Sequence, residues 1–233
     1  MKTSEIDILT TAANMGHVQS QDDLGVIYMD GINTEEDIDE ASKYFMQAAE
    51  EGHIESQYIV DTMFKEVAGY DIDIYDAINY FKKAAVLGST NSEFALGLIY
   101  ADEDDLELHD YNEAAYWYEK AANNGNTNAQ FNLAIMYEGV EGFTEDINKA
   151  LVLYEKAAIK DVDAQYRIGE IYFEDNEAPR DYHQAHKWFT IAELNEYDIE
   201  IFIMNALDLQ MSDKEIIKSK QSAQDWIDNN FQV

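Results

Sequence analysis

Apolar residues recur along the chain at helical spacing, and the whole arrangement returns at a fixed interval. Paired alanines mark the rhythm: Ala12-Ala13, Ala48-Ala49, Ala84-Ala85, Ala121-Ala122 and Ala157-Ala158, with a weaker echo at Ala192. The steps between first alanines are 36, 36, 37, 36 and 35 residues. That period predicts an array of helix pairs, because one pair cannot bury its apolar face alone and must stack on the next.

Each unit reads as two helices. The second opens on aspartate with alanine four residues on: Asp37/Ala41, Asp73/Ala77, Asp110/Ala114, Asp146/Ala150 and Asp181/Ala185. Aspartate is a strong N-cap, because its carboxylate accepts unpaired N–H groups of the first turn. Glu40, Glu113 and Gln184 suit a capping box, and Lys149 does not. The pairs Tyr44-Phe45, Tyr80-Phe81, Trp117-Tyr118, Leu153-Tyr154 and Trp188-Phe189 then fall at core spacing. Gly16, Gly52, Gly88 and Gly125 stand where a helix end needs a left-handed residue; in the fifth unit Asp161 replaces the glycine and the turn is one residue shorter.

The first helix is anchored on a small residue: Ser20, Ser56, Ser92, Ala129 or Ala164. Gln21, Gln57, Glu93, Gln130 or Gln165 follows at once, and Leu24, Val60, Leu96, Leu133 or Ile168 comes four residues on. Gly25, Asp61, Gly97, Ala134 and Gly169 stand five residues on, and Tyr28, Phe64, Tyr100, Tyr137 and Tyr172 eight on. These positions share one face of a helix. Small residues at the anchor and at the fifth place allow close helix approach, and Asp61 breaks that rule.

The pattern resembles the Sel1-like repeat family, a relative of the tetratricopeptide repeats. It is fullest in DYNEAAYWYEKAANNGNTNAQFNLAIMY, returns in DINKALVLYEKAAIKDVDAQYRIGEIY, and is weaker in DEASKYFMQAAEEGHIESQYIVDTMF. The likeness covers about residues 4–195. It implies an all-α, right-handed α-solenoid of about five helix-pair repeats in a single domain, 1–233. Residues 1–16 form an N-terminal capping helix, 17–195 the repeats and 196–233 a C-terminal cap. The stretch SDKEIIKSKQSAQDWI opens on Ser212 and Glu215 as a capping box and is the most basic part of the chain.

Charge adds the next constraint. Asp and Glu number 48 against 15 Lys and Arg, a formal net charge of −33. Such a surface repels nucleic-acid phosphates and anionic membranes and draws in a basic protein. There is no cysteine, hence no disulfide framework and no thiol nucleophile, which fits a reducing compartment. The N-terminus lacks a signal-peptide pattern, so a cytoplasmic location is expected.

Chemistry is sparse. No phosphate loop, nucleophile elbow or HExxH is present. His183 and His186 lie three apart without further indicated ligands, and Asp102-Glu103-Asp104-Asp105 lacks the glycine of a calcium loop. No enzyme activity, cofactor or metal is expected. Binding is better supported. The resemblance implies that first helices line the inner, concave surface. Two residues after each anchor stand Asp22, Tyr58, Phe94, Phe131 and Tyr166, four of them aromatic. Asp23, Asn132, Arg167 and Glu170 share that face, and Asp30, Glu66, Asp102 and Glu174 follow near the loop starts. An aromatic floor with an acidic rim suits a basic protein partner. The sharpest expectation is a monomeric immunity protein that neutralises a basic toxin effector; the alternative is a general scaffold or regulatory adaptor.

Overall fold

The computed structural model describes residues 5–53, 56–57, 59–60, 63, 74–86, 88–102, 107–140, 143–174 and 180–231. Among the described residues there are twelve helices and no strand. They are α1 (Glu5–Asn14), α2 (Val18–Met29), α3 (Ile38–Glu50), α4 (Ile74–Val86), α5 (Thr90–Ala101), α6 (Tyr111–Asn123), α7 (Thr127–Gly139), α8 (Ile147–Ala157), α9 (Val162–Phe173), α10 (Tyr182–Leu194), α11 (Ile201–Asp208) and α12 (Asp213–Asn230). The chain divides into two compact units, Met1–Leu96 and Gly97–Val233.

The boundaries follow from local chemistry. Asp37, Asp110, Asp146 and Asp181 are N-caps whose carboxylates accept the N–H three residues on, as the sequence predicts. Their own N–H groups bond the carbonyls of Tyr28, Tyr100, Tyr137 and Tyr172, which closes each pair. At the other end, Gly125 has φ +87°. Its N–H bonds the Ala122 carbonyl while that of Asn126 bonds Ala121, the two-bond glycine stop of a helix. Where Asp161 replaces the glycine, α8 stops at Ala157 and Asp161 N-caps α9 instead. A complete capping box forms at Ser212 and Glu215.

In the first unit α1 packs on α2, α2 on α3 and α3 on α4. Gln21 and Gln57 each send an amide N–H to an alanine carbonyl at the end of the preceding helix, Ala13 and Ala49. In the second unit neighbours pack in order from α6 to α10, and both α11 and α12 pack on α10. Gln130 and Gln165 repeat the bond to Ala122 and Ala158. So the glutamine after four of the five anchors is a stitch between consecutive units, satisfying a carbonyl that a helix end leaves open.

In four pairs one aromatic ring is the keystone of the core. Phe45, Tyr118 and Phe189, all buried, lie against Gly25, Gly97 and Gly169 so closely that no Cβ fits there. Tyr154 holds the same place in the fourth pair, opposite Ala134.

Candidate interaction surface

The face expected to bind a partner proves to be braced from behind. Phe131 and Tyr166 are half-buried, and each meets the keystone of its own pair: Phe131 lies edge-on to Tyr154 at 5.4 Å, and Tyr166 lies 5.4 Å from Phe189. Tyr166 also stacks on Tyr197 at 4.5 Å. Phe94 is half-buried on α5. Tyr58, Asp61 and Glu66 lie outside the described residues. The rings therefore present part of their surface while the remainder packs between helices.

The polar residues of the face divide into two groups. Asp22 accepts the Ser56 hydroxyl at 2.7 Å and lies 3.3 Å from His53 Nδ1, which ties the first helix to the start of the next. Asp23 accepts from the Gln19 amide, and Asn132 donates to the Tyr118 hydroxyl. Arg167 is clamped between Glu138 and Glu170, and Tyr154 donates to the other Glu138 oxygen at 2.7 Å. This chain of bonds links α9, α7 and α8. Burial pulls the Arg167 guanidinium down, but the bond and charge of Glu138 outweigh it and hold the value above normal. Burial, reinforced by Glu138, raises the Tyr154 phenol. Burial also pushes Tyr118 and Tyr166 up to about 12, with Glu170 adding to the effect at Tyr166. The second group, Asp30, Asp102 and Glu174, is exposed where first helices end.

The structure brings Arg167, Glu170, Tyr166, Glu138 and Tyr154 together, and the last two were not foreseen. Glu138 is 29 residues from Arg167, and nothing in either local sequence pairs them.

Charge is segregated between the two helix types. Among the described residues, α2, α5, α7 and α9 carry no lysine, and their one cation, Arg167, is held by two carboxylates. The second helices carry Lys43, Lys82, Lys83, Lys120, Lys149, Lys156 and Lys187. The described loops that close each pair hold Asp30, Glu35, Glu36, Asp37, Asp102, Glu107, Asp110, Glu145, Asp146, Glu174 and Asp181 against Arg180. The described turns at the opposite end hold Glu51, Asp161, Glu196, Asp198 and Glu200 against Lys160. Acid is shared by both helix types and lysine is kept to the second helices, so the first helices and the loop end of the pairs hold the larger net negative charge.

A serine–histidine–aspartate row exists but reaches no substrate. Ser219 Oγ is 2.8 Å from His186 Nδ1, and Asp208 Oδ1 is 3.4 Å from Nε2, yet both Ser219 and His186 are fully buried. Among the described residues no three His, Asp or Glu side chains are placed to hold a metal. No described helix is long and apolar enough to cross a membrane.

The helix-pair units recur in known proteins. A model of the Sel1 repeat matches residues 18–53, 68–89, 90–126, 127–161 and 162–195. Among solved structures, the chain is 27% identical to a protective antigen of uropathogenic Escherichia coli strains with an SLR fold, with a TM-score of 0.64. That match covers 98% of this chain and 49% of the other, so the chain spans about half the length of that antigen. A Sel1 repeat protein from Oxalobacter formigenes is 22% identical over 95% of this chain and 99% of its own, with a TM-score of 0.55, a likeness of fold. An immunity protein from Pseudomonas aeruginosa is 18% identical over 92% of this chain and 73% of its own, with a TM-score of 0.39, too distant to bear on function. No curated protein matches the chain.

Proposed function

Since the chain belongs to the Sel1 repeat family, whose members mediate protein–protein interaction, we propose that it is a non-enzymatic binding module for a basic protein, acting in the cytoplasm. The segregation of charge carries this reading. A uniform solubilising surface has no reason to keep lysine off the described first helices while placing it on every described second helix of the repeats. A basic partner is steered to the first-helix face and the acidic loop end, and is kept from the lysine-bearing face. The sharpest form of the proposal is an immunity protein that covers the phosphate-receiving site of a basic toxin, such as a nuclease.

A second reading, a scaffold for a less charged partner, draws on the half-buried rings Phe94, Phe131 and Tyr166, since aromatic residues anchor interfaces. Salt separates the two. The full chain serves as bait in native lysate, eluted by stepped salt, and captured proteins are identified by mass spectrometry. One basic protein released at moderate salt, with binding lost in Asp30→Lys/Asp102→Lys/Glu174→Lys, supports the first reading. Retention through high salt, unaffected by these reversals, supports the scaffold and sinks the electrostatic one.

A further inference from the structure

We propose that His186 is a pH-operated latch that holds α12 on α10 and releases it on acidification. Among the described residues, an apolar cluster and a hydrogen bond between two buried side chains join these helices. Trp188 meets Trp226 edge-on at 5.1 Å, and Ala223 and Ile227 join the same cluster. Within it His186 Nδ1 lies 2.8 Å from Ser219 Oγ, with both side chains fully buried. This is the hydrogen bond that carries α10 across to α12.

A neutral ring fits this setting. Thr190, 3.3 Å from Nδ1, spends its proton on the His186 carbonyl at 2.7 Å. Ser219 can donate to Nδ1, or it can accept from it while donating to the Ile216 carbonyl at 2.8 Å. Either way the neutral imidazole keeps its bond to α12. In the second arrangement Nε2 is bare, and the imidazolium must place an N–H there, where the nitrogen is buried and has no aligned hydrogen-bond partner. A buried donor without an acceptor, on a buried charge, is costly.

The charges around the ring do not offset that cost. Asp208 at the end of α11 is the favourable one, 3.4 Å from Nε2 but not aligned for a hydrogen bond, and its own side chain is half-exposed. Lys220 of α12 and His183 of α10 oppose a proton on His186, while α9 packs on α10 through apolar residues, including Ile168 and Ile171. Burial is the largest influence and lowers the affinity of His186 for a proton, against the pull of Asp208.

In the unfolded chain a histidine takes up its proton near pH 6.5. Held lower in the fold, His186 supports the α10–α12 contact fully above that value, and the support fades as pH falls below it. Partial neutralisation at acid pH also relieves the repulsion of a chain with net charge −33, which runs the opposite way.

Hydrogen exchange of the full chain at pH 7.5 and 5.5, corrected for intrinsic rates, tests the latch. Amides of α12 should lose protection at the lower pH, while those of α7 and α8 do not. His186→Gln, which can still bond Ser219, should abolish that pH dependence, and Asp208→Asn should move the release to higher pH. Unchanged α12 protection in the wild type, or the same loss in His186→Gln, overturns the proposal. Should His186→Gln fail to fold, the NMR titration of the His186 ring decides: a midpoint below the ordinary histidine value supports the latch, and one at or above it overturns it.

Discussion

Replacing Gly169 by alanine sets two well-known effects against each other at one site. In a bare helix the change stabilises by about 1 kcal/mol, because alanine loses less backbone entropy. Here the added Cβ meets Phe189 at 2.6 Å from Cδ1, 2.7 Å from Cε1 and 3.0 Å from Cγ. The ring must withdraw by about 1 Å to restore ordinary contact. It is fully buried and backed by Phe173 at 6.3 Å, so there is little room to yield. Overpacking of this kind costs about 1–3 kcal/mol. With three ring atoms at or inside 3.0 Å we take the upper part of that range, which leaves a net loss of about 1–2 kcal/mol. For a chain of this size that lowers Tm by about 2–8 °C. Thermal melts followed by circular dichroism measure the loss, and hydrogen exchange in α9 and α10 places it. In a Phe189→Leu background the same alanine should cost less or turn favourable, because the obstructing ring edge is gone. A rise in Tm on Gly169→Ala, or an equal loss in both backgrounds, refutes the keystone argument.

Other outcomes follow from the same geometry. Asp110→Ala should cost about 1 kcal/mol by loss of the α6 cap, read as a fall in Tm. Arg167→Gln removes the cation between Glu138 and Glu170; the site is half-exposed, so the expected loss is about 1 kcal/mol, and Glu138→Gln in the same chain should recover part of it. Tyr118 and Tyr166 ionise near pH 12 in the fold against about 10 when unfolded, so they support the fold fully below pH 10 and lose that support as pH rises toward 12. Phenolate absorbance should then lag behind that of free tyrosine until the helical signal is lost.

The fold was legible because its determinants are local and repeated. Asp at the cap, alanine four residues later and glycine at the stop are read within one helix, and five copies make each other certain. The close approach at Gly25, Gly97 and Gly169 was legible too, since only a missing side chain admits a ring there. The candidate face was legible in outline. Helix spacing groups its residues, but sequence could not say what else they touch. Arg167 reads as a lone cation on a binding face until Glu138, a full unit earlier, is placed beside it. Tyr197, stacked on Tyr166, lies beyond the last repeat, where no period predicts its position. The Ser219–His186 bond joins residues 33 apart in two different kinds of helix, and no motif announces it.

The two groups of residues on the candidate face differ physically, and on the proposed reading that difference divides their labour. Asp30, Asp102 and Glu174 are exposed at loop starts, where charge acts at a distance and is screened by salt. Phe131 and Tyr166 are pinned by the keystone rings, so little side-chain freedom is left to lose when a partner lands on them. Charge reversal in the first group should therefore slow association and flatten its salt dependence while leaving the dissociation rate nearly unchanged. Trimming the second group should speed dissociation, but truncation to alanine also strips support from Tyr154 and Phe189 and confuses binding with folding. Phe131→Leu keeps an apolar contact to Tyr154 and removes the planar face. It should raise the dissociation rate several-fold with only a small change in Tm. Surface-plasmon kinetics with the captured partner, at two salt concentrations, separate the rates. If charge reversal acts on dissociation alone, or Phe131→Leu leaves both rates untouched, the partner is held elsewhere on the chain.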